Sequence, residues 1–216
     1  MRLVNRLLNG FGQNNSSLRE EMVIKCLSSI PALSLILDAG AGEQIYKRYC
    51  QHLSYISQDF CQYNGIGNSI GLQTVAFDTD AIDIVSDLVS IPFKDEHFDA
   101  IMCTEVFEHI PDPIKAFNEL DRLLKPGGYI LITAPFNSLT HFAPYHFCSG
   151  FNKYFFQNLF KNSFEIIEIT PYGNYFEVLA QELLRISSVT KQYLNKDINF
   201  FLKIYIIVLT FILKEN

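Results

Sequence analysis

Asp38, Gly40 and Gly42 stand at alternate positions directly after the apolar run Leu35-Ile-Leu37. An acidic residue at a strand end followed by Gly-x-Gly is a loop whose backbone turns tightly and lies close to something. Between a strand and a helix, such a loop is where an α/β sheet holds a nucleotide-like ligand. The dinucleotide fingerprint needs a third glycine three residues after the second, and Ile45 stands there instead. The Asp38 carboxylate would repel a pyrophosphate, yet it can order the loop or accept from an ammonium group. A ligand with an adenosine end and an amino-acid end suits this pattern; a plain turn is the alternative.

Asp59 ends a second expected strand, Leu53–Asp59, about twenty residues beyond the glycine turn, where a carboxylate reaches ribose hydroxyls in nucleotide-binding βαβ units. The alternative is a loop aspartate that caps the next turn. Histidines are the usual general bases near neutral pH. His141 and His146, in Thr140-His-Phe-Ala-Pro-Tyr-His-Phe147, are the candidates here, with loop or aromatic packing as the alternative. His109 follows Glu108 at a helix start and reads as structural. Tyr145, Tyr154, Phe155 and Phe156 read as core or lid packing.

These residues need a sheet to hold them. Leu35–Ala39, Leu53–Asp59, Ile82–Leu88, Phe98–Cys103 and Tyr129–Ala134 are the expected strands. A helix is expected from Ser17, through a Ser17/Glu20 capping box, to Ser29. A second is expected over 44–51, and a third starts after Pro111 and Pro113 with Ile114, Phe117, Leu120 and Leu124 on one face. Alternating strand and helix imply a doubly wound, mostly parallel α/β sheet with helices on both faces. The chain has 216 residues and a formal net charge of -6, which argues against bulk electrostatic binding of nucleic acid. Five cysteines without a Cys-x-x-Cys pair argue against a zinc site or disulfide framework, so no metal is expected and a reducing, cytoplasmic setting is. Residues 1–10 do not resemble a secretory signal.

Four blocks together resemble the class I S-adenosylmethionine-dependent methyltransferases, specifically their small-molecule type 11 group. They are Leu37-Asp-Ala-Gly-Ala-Gly42; Tyr55-Ile-Ser-Gln-Asp59; Asp87-Leu-x-x-Ile-Pro-Phe93 with Phe98-Asp99; and Glu105-Val-Phe-Glu-His109 with Leu124-Lys-Pro-Gly-Gly128. The resemblance implies a Rossmann-like methyltransferase with S-adenosyl-L-methionine as cofactor. Asp38, Gly40, Ala41 and Gly42 would wrap its methionine part. Asp59 would take the ribose hydroxyls, with Phe60 beside the adenine, and Asp87 and Leu88 would meet the adenine edge. Thr104 and Glu105 would close over the sulfonium end. Gln44 departs from the family, which usually has a third glycine there. The tetrapeptide that marks methylation of base amines or glutamine amides is absent, since Thr104-Glu-Val-Phe107 stands in its place.

A single domain is expected: N-terminal helices in 1–30, a cofactor-binding core in 35–136, a substrate lid and sixth strand in 137–197, and an apolar element in 198–216. The expected activity is methyl transfer to an oxygen or nitrogen of a small-molecule or saccharide-type acceptor, without nucleic acid. The other readings are a non-catalytic cofactor-binding scaffold and, disfavoured by Ile45, a nicotinamide oxidoreductase. Phe164–Ile169 is expected to be the sixth strand. Ile204–Leu213 is expected to be helical, with the seventh strand missing or displaced. A helix apolar all round must cover a sheet edge, pair in a homodimer or touch a membrane surface, and ten apolar residues do not span a bilayer.

Overall fold

The computed structural model describes residues 8, 10–68, 71–72 and 78–215. Part of the N-terminal helices expected in 1–30 falls outside them. The described residues fall into two compact units, Met22–Ile169 and Met1–Glu21 with Thr170–Asn216.

The first unit is the α/β part. Strands β1 (Leu35–Ala39), β2 (Ser54–Asp59), β3 (Ile84–Val85), β4 (Phe98–Thr104) and β5 (Leu124–Thr133) form one sheet in the order β3-β2-β1-β4-β5. Every pairing is parallel. β1 and β4 are almost wholly buried because helices and loops cover both faces, which is why they read as continuous apolar runs. Helix α1 (Asn15–Ser29) sends Val23 and Leu27 onto Ile36, Ala100 and Met102 on one side of the sheet. On the other side, α2 (Pro113–Leu123) packs Phe117, Leu120 and Leu123 against Leu37, Ile101 and Cys103. Pro113 opens α2, and the Asp112 side chain caps it by accepting from the Lys115 amide at 3.0 Å.

Several local expectations are corrected. α1 begins at Asn15, so Ser17 lies inside it and donates back to the Asn14 carbonyl at 3.0 Å. The helix expected over 44–51 is only a 3-10 turn, Lys47–Tyr49. Gln44 has φ 55°, outside the right-handed helical region, and Ile45 is 58% exposed, so no apolar face holds a helix there. β3 is two residues long rather than seven. In α2 the buried face runs through Ala116, Phe117, Leu120 and Leu123, while Ile114 is exposed. Regular pairing of β5 begins at Tyr129, as expected, but Leu124 already pairs with Phe98 across a register break. Helix α3 (Lys153–Phe160) follows, and the expected sixth strand over 164–169 is irregular chain. Phe164 is drawn into an aromatic stack with Phe117 and Phe160, at ring-centroid distances of 5.6 Å each. That packing competes with strand pairing at the β5 edge.

The second unit is helical. α4 (Tyr175–Leu194) starts on a capping box between Asn174 and Glu177 and ends at Asn195 in the left-handed region. α5 (Phe200–Lys214) is capped by Asn199, and α4 and α5 pack on each other. The terminal apolar stretch is therefore a helix, as its spacing implied. It buries Ile206 and Thr210 and leaves Phe201 81% exposed. At fifteen residues it is about 22 Å long, short of the roughly 30 Å hydrocarbon core. Among the described residues no helix is long and apolar enough to cross a membrane.

Candidate active site

The ends of β1, β2, β3 and β4 lie side by side at the carboxyl edge of the sheet, around the point where the strand order reverses between β1 and β4. That crevice is where open α/β sheets bind ligands. Gly40 turns the chain off β1 with φ 74°, and a Cβ there would sit 2.5 Å from a Val106 methyl. The loop is tied to β2. The Gly40 and Ala41 amides donate to the Gln58 carbonyl at 2.8 and 2.9 Å, and the Gly42 amide donates to Asp59 Oδ2 at 3.0 Å. Asp59 also accepts from the Cys61 amide at 2.9 Å. β3 joins through Gln58, whose amide group donates to the Ser86 carbonyl at 2.7 Å.

Asp38 is buried at the end of β1 and accepts from the Tyr55 hydroxyl at 2.5 Å. Burial pushes its carboxyl up to about 7; the Tyr55 hydrogen bond opposes this and the nearby Asp59 charge adds to it. A buried acid in that state holds a charge readily only beside a cation. The two strand-end carboxylates can only accept hydrogen bonds when ionised. That set of acceptors fits an ammonium and a pair of ribose hydroxyls, and it opposes a pyrophosphate.

Most residues singled out from the sequence gather here. Gly40, Ala41 and Gly42 are hydrogen-bonded to Gln58 and Asp59 of β2, and Asp38, held by Tyr55, ends the neighbouring strand β1. Phe60 follows β2 and meets Tyr145 edge-on at 4.9 Å. Asp87 is exposed and its carboxylate accepts from the Val89 amide at 3.1 Å, whereas the Leu88 side chain belongs to the core. Thr104 ends β4, and Glu105 follows it with φ 55°, pinned to Thr133 by the Glu105 amide at 3.0 Å and the Thr133 hydroxyl at 2.9 Å. A non-glycine residue held in the left-handed region at a strand end is stored strain of the kind found at ligand sites. Gln44 adopts the left-handed conformation that a third glycine would take freely. The loop geometry survives the departure at a local cost.

The lid histidines meet the β4 end. The loop carrying them is fastened to the 3-10 turn Phe107–His109, since the amides of Phe147 and Cys148 both donate to the Glu108 carbonyl. Phe142 stacks on the His109 ring at 4.8 Å, and the rings of His109, His141 and His146 touch. Burial pushes His109 down to about 4 and lowers His146 as well, so His109 and His146 are neutral near pH 7. His109 lies in this group, although its sequence position next to Glu108 suggested a purely structural part. Its register at the β4 exit was the available signal.

The fold is that of the class I methyltransferases. Residues 37–132 match the family model described as a methyltransferase domain; over that segment the chain is a class I S-adenosylmethionine-dependent methyltransferase domain. It is 34% identical over 110 residues to a "tRNA (carboxymethyluridine(34)-5-O)-methyltransferase" of Arabidopsis thaliana, covering 50% of this chain and 25% of that protein. It is 30% identical over 106 residues to norajmaline N-methyltransferase of Rauvolfia serpentina, covering 45% and 34%. The chain thus spans a quarter to a third of these relatives' lengths. The crystal structure of a "putative sarcosine dimethylglycine methyltransferase" from Galdieria sulphuraria matches 94% of this chain and 81% of its own, with a TM-score of 0.53 at 16% identity. That likeness concerns the fold.

Proposed function

We propose that this chain transfers a methyl group from S-adenosyl-L-methionine to an oxygen or nitrogen of a small-molecule or saccharide-type acceptor. In this reading residues 137–169 of the methyltransferase domain form the acceptor side. The observation that carries it is the pair of buried strand-end carboxylates, Asp38 and Asp59, around a left-handed glycine loop. The cofactor supplies a methyl carbon activated by a sulfonium leaving group. Asp38 holds the ammonium end and Asp59 the ribose. The Thr104–Glu105 corner closes the crevice at the methyl, and the lid excludes water there. The proton of the acceptor hydroxyl or amine is taken up at the cluster of His141 and His146, where burial favours the neutral form of His146. The formal charge of -6 favours a compact acceptor over the polyanionic tRNA named for one relative.

Incubation with isotopically labelled cofactor and either a metabolite extract or bulk tRNA, followed by mass spectrometry, tests this. A small-molecule product heavier by one methyl group is expected. Labelled tRNA alone would overturn the acceptor assignment. Calorimetric cofactor binding with no labelled product in any fraction would favour a non-catalytic scaffold.

A further inference from the structure

His109, His141 and His146 come from two separate stretches of chain, yet one ring nitrogen of each lies within 4.8 Å of the others. Their hydrogen bonds fix which nitrogen is available. His109 Nδ1 faces the Tyr145 carbonyl at 2.6 Å, and His141 Nδ1 faces the Leu139 carbonyl at 2.9 Å. A carbonyl only accepts, so both Nδ1 atoms carry the proton and both Nε2 atoms carry a lone pair. A backbone carbonyl on one imidazole nitrogen is the usual arrangement behind a metal-ligating histidine. His146 supplies the second observation: both its ring nitrogens are buried, and neither has a hydrogen-bond partner among the described residues. Leaving a buried polar group unsatisfied costs about 1–3 kcal/mol. Simple aromatic packing does not account for burying an imidazole that way. The Glu108 carboxylate is buried alongside, 3.7 Å from His109 Nε2, and supplies negative charge next to the cluster.

We propose that His109, His141 and His146 form a site for a single divalent transition-metal ion, of which zinc is the best fit. Three neutral imidazoles select zinc, copper or nickel over magnesium or calcium. Three protein ligands leave the fourth tetrahedral position for water or substrate. Zinc–nitrogen bonds of about 2.0–2.1 Å require ligand atoms roughly 3.4 Å apart, so the rings close by a little over an ångström around the ion. The cysteine pattern carries no such signal; this donor set is histidine and is assembled only by the fold. The site does not depend on the methyl-transfer reading. If both hold, the ion's bound hydroxide is the group that takes the acceptor proton, and the histidines hold the ion.

The test uses the full chain, stripped with chelator and titrated with zinc by calorimetry, with the visible spectrum of the cobalt(II) form as a second readout. One zinc per chain and the absorption of tetrahedral cobalt with nitrogen ligands are expected. His146→Ala and, separately, His141→Gln should each abolish stoichiometric binding while cofactor affinity and thermal unfolding stay near wild type; two variants guard against one failing to fold. Failure of the wild type to bind zinc would overturn the proposal. So would undiminished binding in both variants, which would place the ion at thiols. Methyl transfer is not read, so a negative result here leaves the proposed activity standing, and an inactive but zinc-binding protein leaves the metal site standing.

Discussion

The strand-end cradle and the histidine loop differ in how their polar groups are used. In the cradle, Asp59, Gln58 and the Gly40–Gly42 amides satisfy one another across β1 and β2. In the loop, the backbone ties are as tight, but His146 keeps two buried nitrogens without a hydrogen-bond partner among the described residues. A binding loop that is internally satisfied is preorganised and can serve one common ligand in many proteins. A loop with unspent polar capacity is shaped for something outside the chain, and there specificity resides.

That contrast can be broken most severely at Gly40. Gly40→Val forces a β-branched residue to φ 74° and drives its Cβ into Val106. Cofactor binding should be lost in calorimetry. Normal affinity in a folded variant would put the ligand elsewhere. Replacing His141 or His146 by Ala should lower the methyl-transfer rate about 10²–10⁴-fold and leave cofactor affinity unchanged. Full turnover in both would leave alignment alone as the source of catalysis on that side. Asp59→Ala should weaken cofactor binding by roughly 1.5–3 kcal/mol, since charge-assisted hydrogen bonds are lost. An unchanged dissociation constant in a folded variant removes Asp59 from the site.

Acidity separates the two regions more gently. Asp38 has a folded value of about 7 against 3.8 in free chain. The folded state prefers the protonated acid, so its stabilising contribution is complete below about pH 4 and lost as pH rises through 7. Thermal unfolding of the unliganded protein should show that loss, and Asp38→Asn should flatten it. A cationic ligand favours the carboxylate, so cofactor affinity should fall by up to about tenfold per pH unit below 7. An affinity flat from pH 7 to 5 would mean that Asp38 does not face the ammonium. The smallest effect on the cradle is expected from deleting residues 198–216. Cofactor affinity should hold, while light scattering should show aggregation or a changed oligomeric state, because α5 exposes Phe200, Phe201 and Tyr205. A truncated protein that stays monomeric and equally stable would make α5 a dispensable tail.

The parallel sheet and its carboxyl-edge cradle were legible from residues 35–133 because strand burial on both faces leaves continuous apolar runs, and tight turns demand glycine. Asp38, Gly40, Gly42 and Asp59 lie on consecutive strand ends, so sequence spacing alone brings them together. The helical state of 200–214 was legible for a similar reason, from its spacing and the absence of Gly or Pro. Other features depended on competition between distant partners. Phe164 could pair beside β5 or stack on Phe117 and Phe160, and only packing in three dimensions chose the stack. Gln44 could continue a helix or turn left-handed, and the ties from the loop to β2 chose the turn. His109 stands about thirty residues from the other two histidines of its cluster, a separation with no local periodicity to reveal it. The sequence by itself determined which residue types were available and where strands had to end. The tertiary structure decided which of them share one small volume, because contacts between distant segments are set by the closing of the sheet and the docking of the lid loop on the β4 exit.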